Sequence, residues 1–202
     1  MQKTNAYIYT MKTGLFFGTF NPIHVGHMVI ANYLLEFAKL DKIWFVITPH
    51  NPQKEKKGLL PDVQRLRLVR EAIGDNTKMK ASDIEFGLPQ PNYTIDTLTY
   101  LAEKFPGNQF SLILGADNLS TFHKWKNHEL ILERHELLVY PRPGTDGGAL
   151  RTHKNVKMMD APVMDISSTF IRDAIRKGND VRYFLPEAVW KYTEEMNFYK
   201  KG

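Results

Sequence analysis

The chain has 202 residues, with 27 Lys or Arg against 22 Asp or Glu, a formal net charge of +5 and no cysteine. That length suits one domain able to bury its own core, and the mixed composition excludes a disordered segment. The absence of thiols excludes disulfides, cysteine nucleophiles and thiolate metal sites, and no apolar run approaches the ~18 residues of a membrane-spanning helix. The modest basic excess suits phosphate-bearing ligands; without a dense basic tract or an RNA-binding motif, neither nucleic acid nor membrane is an expected partner.

Residues 1–11 lack the apolar core and small-residue cleavage site of a signal peptide, and a cytoplasmic location is expected. They are read as a flexible N-terminal extension, with Met11 an alternative start, ahead of one domain over residues 12–202. Thr13–Phe17 is the first apolar run and predicts a buried strand. From His27 to Lys39, apolar residues at 28, 31, 34, 35 and 38 predict a helix. Lys42–Ile47 is a second strand. Asp62 is the expected cap of a helix reaching about Ile73, and Thr94 of another that Pro106-Gly107 stops after Phe105. Phe110–Leu114 and Glu136–Tyr140 are further strands, with a helix capped by Asn127 between them. Val163 onward is extended and leads into a helix over Ser168–Lys177, ended by Gly178-Asn179. Pro186 opens a last helix to Met196. Strands alternating with helices predict an α/β doubly wound parallel sheet with helices on both faces, with ligands at the carboxyl ends of the strands near a switch point.

The first constellation is Gly18-Thr19-Phe20-Asn21-Pro22-Ile23-His24-Val25-Gly26-His27, between the first strand and the first helix. Gly18 lets the backbone turn sharply, Pro22 stiffens the loop, and Gly26 permits close approach at the helix start. A helix N-terminus favours bound phosphate, and His24 and His27, three apart, share a helical face. This is neither a P-loop nor a Gly-x-Gly-x-x-Gly loop. The same residues admit a structural turn with two surface histidines, or a metal pair, though no companion ligand cluster accompanies them. The second constellation is Ile166-Ser167-Ser168-Thr169-Phe170-Ile171-Arg172. Its hydroxyls suit either a helix cap or phosphate oxygens, and Arg172 suits a terminal phosphate or plain solvent exposure.

Together these strings resemble known motifs. Gly18–His27 is similar to the Gly-x-Phe-x-Pro-x-His-x-Gly-His motif of the nucleotidyltransferase superfamily, and Ile166–Arg172 to its Ile-Ser-Ser-Thr-x-Ile-Arg motif. Three more segments resemble nicotinate-nucleotide adenylyltransferases: Tyr93-Thr94-Ile95-Asp96-Thr97-Leu98, the Gly115–Trp125 stretch with Asp117, Leu119 and Phe122 at the matching places, and Thr48-Pro49-His50-Asn51-Pro52-Gln53-Lys54. The last departs slightly from the commoner Pro-Pro-His-Lys form, so no role is assigned to His50. The resemblance implies a Rossmann-like fold and transfer of AMP from ATP to nicotinate mononucleotide in NAD biosynthesis. It implies His24 and His27 as catalytic, and Gly18, Thr19, Phe20, Gly26, Gly115, Asp117, Ser168, Thr169 and Arg172 at ATP. Asn51, Lys54, Tyr93, Thr94, Thr97, Trp125 and Arg142 would then hold the nicotinate nucleotide. Mg2+ would arrive with ATP and need few direct protein ligands. Nicotinamide mononucleotide or phosphopantetheine as acceptor, a silent nucleotide sensor and a nucleic-acid-binding module are the competing readings. Self-association is left open.

Overall fold

In the computed structural model, residues 10–49 and 58–200 are described. Six parallel strands, β1 (Met11–Gly18), β2 (Lys42–Ile47), β3 (Met79–Ser82), β4 (Asn108–Gly115), β5 (Leu137–Tyr140) and β6 (Val156–Met158), form one sheet in the order β3-β2-β1-β4-β5-β6. The helices are α1 (Val25–Phe37), α2 (Asp62–Ile73), α3 (Thr94–Lys104), α4 (Ala116–Ser120), α5 (His128–Arg134), α6 (Ser168–Arg176) and α7 (Glu187–Glu195). The chain winds outward from β1 to β3, returns to β4 beside β1, and winds outward the other way. The crevice between the carboxyl ends of β1 and β4 is the switch point of this winding, where doubly wound folds bind ligands.

The period-2 alternation of the strands divides the core into two layers. Phe16, Ile43, Phe45, Ile47, Ile113 and Leu138 pack on one face, against α1, α2, α6 and α7. Leu15, Trp44, Val46, Leu112, Leu114, Leu137 and Val139 pack on the other, against α3, α4 and α5. All of these side chains are buried. The expected doubly wound sheet with helices on both faces is therefore the observed fold.

The two edge strands lack an apolar run, which is why the periodicity does not reveal them. β3 reads Met-Lys-Ala-Ser and β6 only Val-Lys-Met. A lysine on each edge disfavours pairing with another sheet. Lys80 additionally sets its ammonium 4.1 Å from the Trp44 ring centroid.

Several helix starts shift by one or two residues from expectation. Pro61, not Asp62, precedes α2, and Asp62 instead pairs with Arg65. Tyr93 occupies the cap position of α3 and Thr94 its first turn. α6 starts at Ser168 as expected, with Ser167 as its cap residue, accepting from the Phe170 N–H at 3.1 Å. α1 begins at Val25, which makes His24 its cap residue. β1 already includes Met11, whose N–H donates to Gly107 O.

Candidate active site

β1 ends in Gly18, and the chain turns back over it. A Cβ at Gly18 would stand 2.9 Å from Phe20 Cζ, so the absent side chain lets the Phe20 ring fold under the loop. Phe20 takes a left-handed φ of 45° and is buried edge-on against Phe16, Phe45 and His27. The loop then rises to His24 at the start of α1. Gly26 lies beneath the His24 ring, where a Cβ would come within 3.1 Å of Nδ1. The His24 and His27 rings stack with centroids 3.7 Å apart.

The two imidazoles are not equivalent. The His24 N–H donates to His27 Nδ1 at 3.2 Å, so the His27 ring proton sits on Nε2, the outer nitrogen. His24 is 5% exposed, and burial, aided by the Arg142 charge, lowers its pKa to about 4. It is a neutral imidazole at pH 7 and acts as a dipole rather than as a cation.

Around these rings lies a cavity of about 300 Å³. Gly18, Thr19, Phe20, Gly26, Asp117, Arg142, Ser168, Thr169 and Arg172 line it together with both histidines. These residues come from four places in the fold: the loop from β1 into α1, the end of β4, the end of β5 and the N-terminus of α6. Arg172 bridges two of them. Its Nη1 donates to Asn21 O at 2.8 Å and its Nη2 to Thr169 Oγ1 at 3.2 Å, leaving each nitrogen a second hydrogen. Ser168 Oγ donates to Pro22 O at 2.8 Å, so this hydroxyl ties α6 to the histidine loop. Gly115 lies just outside the cavity wall. A Cβ there would collide with the Asp117 carboxylate and stand 2.9 Å from Arg142 Cγ.

A second cavity of about 260 Å³ adjoins the first and shares Phe16, Phe17, Gly18, Thr19, Asn118 and Tyr140 with it. Tyr93, Thr94 and Trp125 line it, as does Glu85. Trp125 packs on Phe122 at 5.0 Å, which fixes the indole at the rim. Each volume is near the lower end for ligand pockets, ~300–1,000 Å³, so the continuous crevice suits two moderate ligands end to end.

Two expected residues stand elsewhere. Arg142 belongs to the histidine cavity, 3.8 Å from Asp117, and not to the Trp125 cavity. Thr97 is wholly buried; its hydroxyl donates to Glu85 Oε1 at 2.8 Å, so it positions the lining instead of forming it. Asn51 and Lys54, with His50, lie outside the described residues.

Glu85, Asn118 and Tyr140 line the site without having stood out in the sequence. Burial pushes the Glu85 carboxyl above the usual carboxylate range, opposed by hydrogen bonds from Thr97 and Thr48, and its Oε2 is buried without a partner. An acid bracketed by Ile84 and Phe86, eight residues ahead of Tyr93, was its only signal. Arg65, 0% exposed, had none. Its guanidinium donates to Thr19 O, Thr48 O, Pro49 O and Leu60 O and pairs with Asp62. It thereby fastens the loops after β1 and β2 to the start of α2.

Comparison with known proteins places this geometry. The cytidylyltransferase-like family model matches residues 15–174. A Flavobacterium johnsoniae protein named a probable nicotinate-nucleotide adenylyltransferase is 55% identical over 95% of this chain and 100% of its own length. A Bacteroides fragilis protein of the same name is 49% identical, over 89% of this chain and 90% of its own length. The chain belongs to the nicotinate-nucleotide adenylyltransferase family. Its fold is also that of Plasmodium falciparum nicotinic acid mononucleotide adenylyltransferase complexed with NaAD, with a TM-score of 0.78 at 21% identity, covering 94% of this chain and 97% of that one. Four of the segments that carry the family resemblance, Gly18–His27, Tyr93–Leu98, Gly115–Trp125 and Ile166–Arg172, are far apart in sequence and contribute residues to the two adjoining cavities.

A metal ion fits this adenylyltransferase site in one way. Among the described residues no cluster of three or more histidines and carboxylates is arranged to hold an ion, and Asp117 is the one acid lining the histidine cavity. The donor set suits an ion carried in on phosphate oxygens and touched by a single carboxylate. No helix among the described residues is long and apolar enough to cross a membrane.

Proposed function

We propose that this protein transfers AMP from ATP to nicotinate mononucleotide, giving nicotinate adenine dinucleotide and pyrophosphate, as a step of NAD biosynthesis. The carrying observation is the pair of adjoining cavities across the β1–β4 switch point. One is lined by polar and cationic groups suited to a triphosphate, the other by an indole, a tyrosine and a threonine suited to a pyridine ring with a carboxylate.

The acceptor phosphate attacks the α-phosphorus of ATP. Its second pKa is about 6, so it is already ionised near neutral pH and needs no strong general base. Catalysis is then alignment plus stabilisation of charge on the phosphoryl oxygens. His27 Nε2–H donates to the α-phosphate as negative charge builds there. Neutral His24 donates to the neighbouring phosphates. Arg172, Thr169 and the N-terminal backbone of α6 hold the β and γ groups, while Ser168 keeps α6 against the loop through Pro22 O. The cationic Arg142 adds phosphate affinity beside His24. Trp125 stacks on the pyridine ring and Thr94 donates to its carboxylate. Asn51 and Lys54 are assigned to the acceptor phosphate side. Asp117, the one acid lining the histidine cavity, would contact a Mg2+ ion carried in by ATP, which would supply neutralisation of phosphate charge. The location proposed is cytoplasmic, the partners are these small molecules and not nucleic acid, and a homo-oligomer is compatible with the chain.

A pyrophosphate-release assay with ATP tests the reading, using nicotinate mononucleotide, nicotinamide mononucleotide and phosphopantetheine as acceptors. The first is expected to react with the highest kcat/KM. Turnover with phosphopantetheine alone would overturn the acceptor and keep the adenylyl transfer.

A further inference from the structure

The histidine loop is braced by the far end of the chain. After α7 the backbone turns through Asn197 and Tyr199, with φ of 51° and 65°. A tyrosine seldom adopts that left-handed conformation, and such a residue persists only where its surroundings fix it. Here the surroundings are the site. The Tyr199 hydroxyl donates to Asn21 Oδ1 at 2.8 Å, across 178 positions of sequence. Asn21, 3% exposed and a wall residue of the histidine cavity, is a junction. Its Oδ1 also accepts from Leu60 N–H at 3.2 Å, its Nδ2 donates to Gly58 O at 2.9 Å, and its backbone carbonyl accepts from Arg172 Nη1 at 2.8 Å. The Tyr199 hydroxyl also lies close enough to the Arg172 and Arg65 guanidiniums to feel both charges, although burial raises its pKa well above the tyrosine range.

We infer that Tyr199 is a positioning residue of the ATP half of the site, fixing Asn21 so that its carbonyl sets the direction in which the Arg172 guanidinium faces the phosphates. This rests on the adenylyl-transfer reading above. Asn21 is shared by no wall of the Trp125 cavity, so the effect of Tyr199 is confined to one substrate.

The test is Tyr199→Phe in the full chain, which removes one oxygen and keeps the ring packed on Phe198. The KM for ATP is expected to rise about fivefold, as loss of a single aligning hydrogen bond would give. The KM for nicotinate mononucleotide is expected to stay unchanged. A role in folding alone would lower apparent kcat through loss of active protein and leave both KM values as they were, and that result overturns the inference. Equilibrium titration with ATP alone, normalised to folded protein, gives the same discrimination for a partly folded variant. Wild-type enzyme assayed alongside separates the two claims: an inactive wild type refutes the adenylyl-transfer reading, whereas an active wild type with an unchanged ATP affinity in Tyr199→Phe refutes the role of Tyr199.

Discussion

The stacked histidines show how one residue type serves two purposes within four positions. His27 keeps an outward Nε2–H because its Nδ1 is occupied by the His24 N–H. Removal of a donor aimed at developing phosphoryl charge costs on the order of 10²–10³ in rate. His27→Ala is therefore expected to lower kcat by that factor while circular dichroism and melting temperature remain near wild type; a near-normal rate would sink the mechanism. His24 carries a pH signature instead. Its pKa falls from 6.5 in the unfolded chain to about 4 in the fold. Across that interval the unfolded chain binds a proton that the native state refuses, so stability rises with pH there and is lost as pH falls through it, by roughly 3 kcal/mol in all. Glu85, whose pKa moves upward, contributes with the opposite sign, so the comparison must be with a His24→Gln variant. Denaturant melts at pH 7 and pH 4 are expected to show a steeper loss for wild type than for that variant. Equal slopes would mean that His24 is not a buried neutral imidazole.

At the scale of elements, the site is assembled by loops that are short in sequence reach but tied by a buried cation. Arg65, on α2, holds the carbonyls of Thr19, Thr48 and Pro49, which belong to the loops leaving β1 and β2. An apolar replacement would orphan those acceptors and leave Asp62 without its partner. Arg65→Leu is expected to lower unfolding free energy by about 3–5 kcal/mol, with Thr19 at the junction of both cavities displaced. A change under about 1 kcal/mol in equilibrium unfolding would show that water satisfies these carbonyls equally well. The motif strings were readable because each is contiguous, and so were the long helices, whose apolar spacing is regular. Arg65 was not, because its role is defined by carbonyls contributed from two separate loops, one after β1 and one between β2 and α2. Thr97 and Arg142 were legible as polar residues in the right segments, but only packing shows that one faces Glu85 and the other faces His24.

For the whole molecule, the division into two cavities makes a thermodynamic prediction. In the proposed reaction, ATP or a non-hydrolysable analogue would occupy the histidine cavity and nicotinate mononucleotide the adjoining Trp125 cavity. Each ligand at about 100 times its Kd is expected to stabilise the fold by about 2.7 kcal/mol, and the shifts in melting temperature should add. Mutual displacement in a titration would show that they compete for one cavity. The amino-acid sequence by itself determined the doubly wound sheet, since its apolar runs and helical spacings are local signals. It also marked the Gly18–His27 loop as a candidate site, because its glycines and histidines lie side by side in the chain. The tertiary structure alone decided the rest: the lysine-bearing edge strands, the neutral state of His24, the buried Arg65 clasp and the contact between Tyr199 and Asn21. Each of those depends on burial or on groups brought together from distant positions, and neither is encoded in the spacing of neighbouring residues.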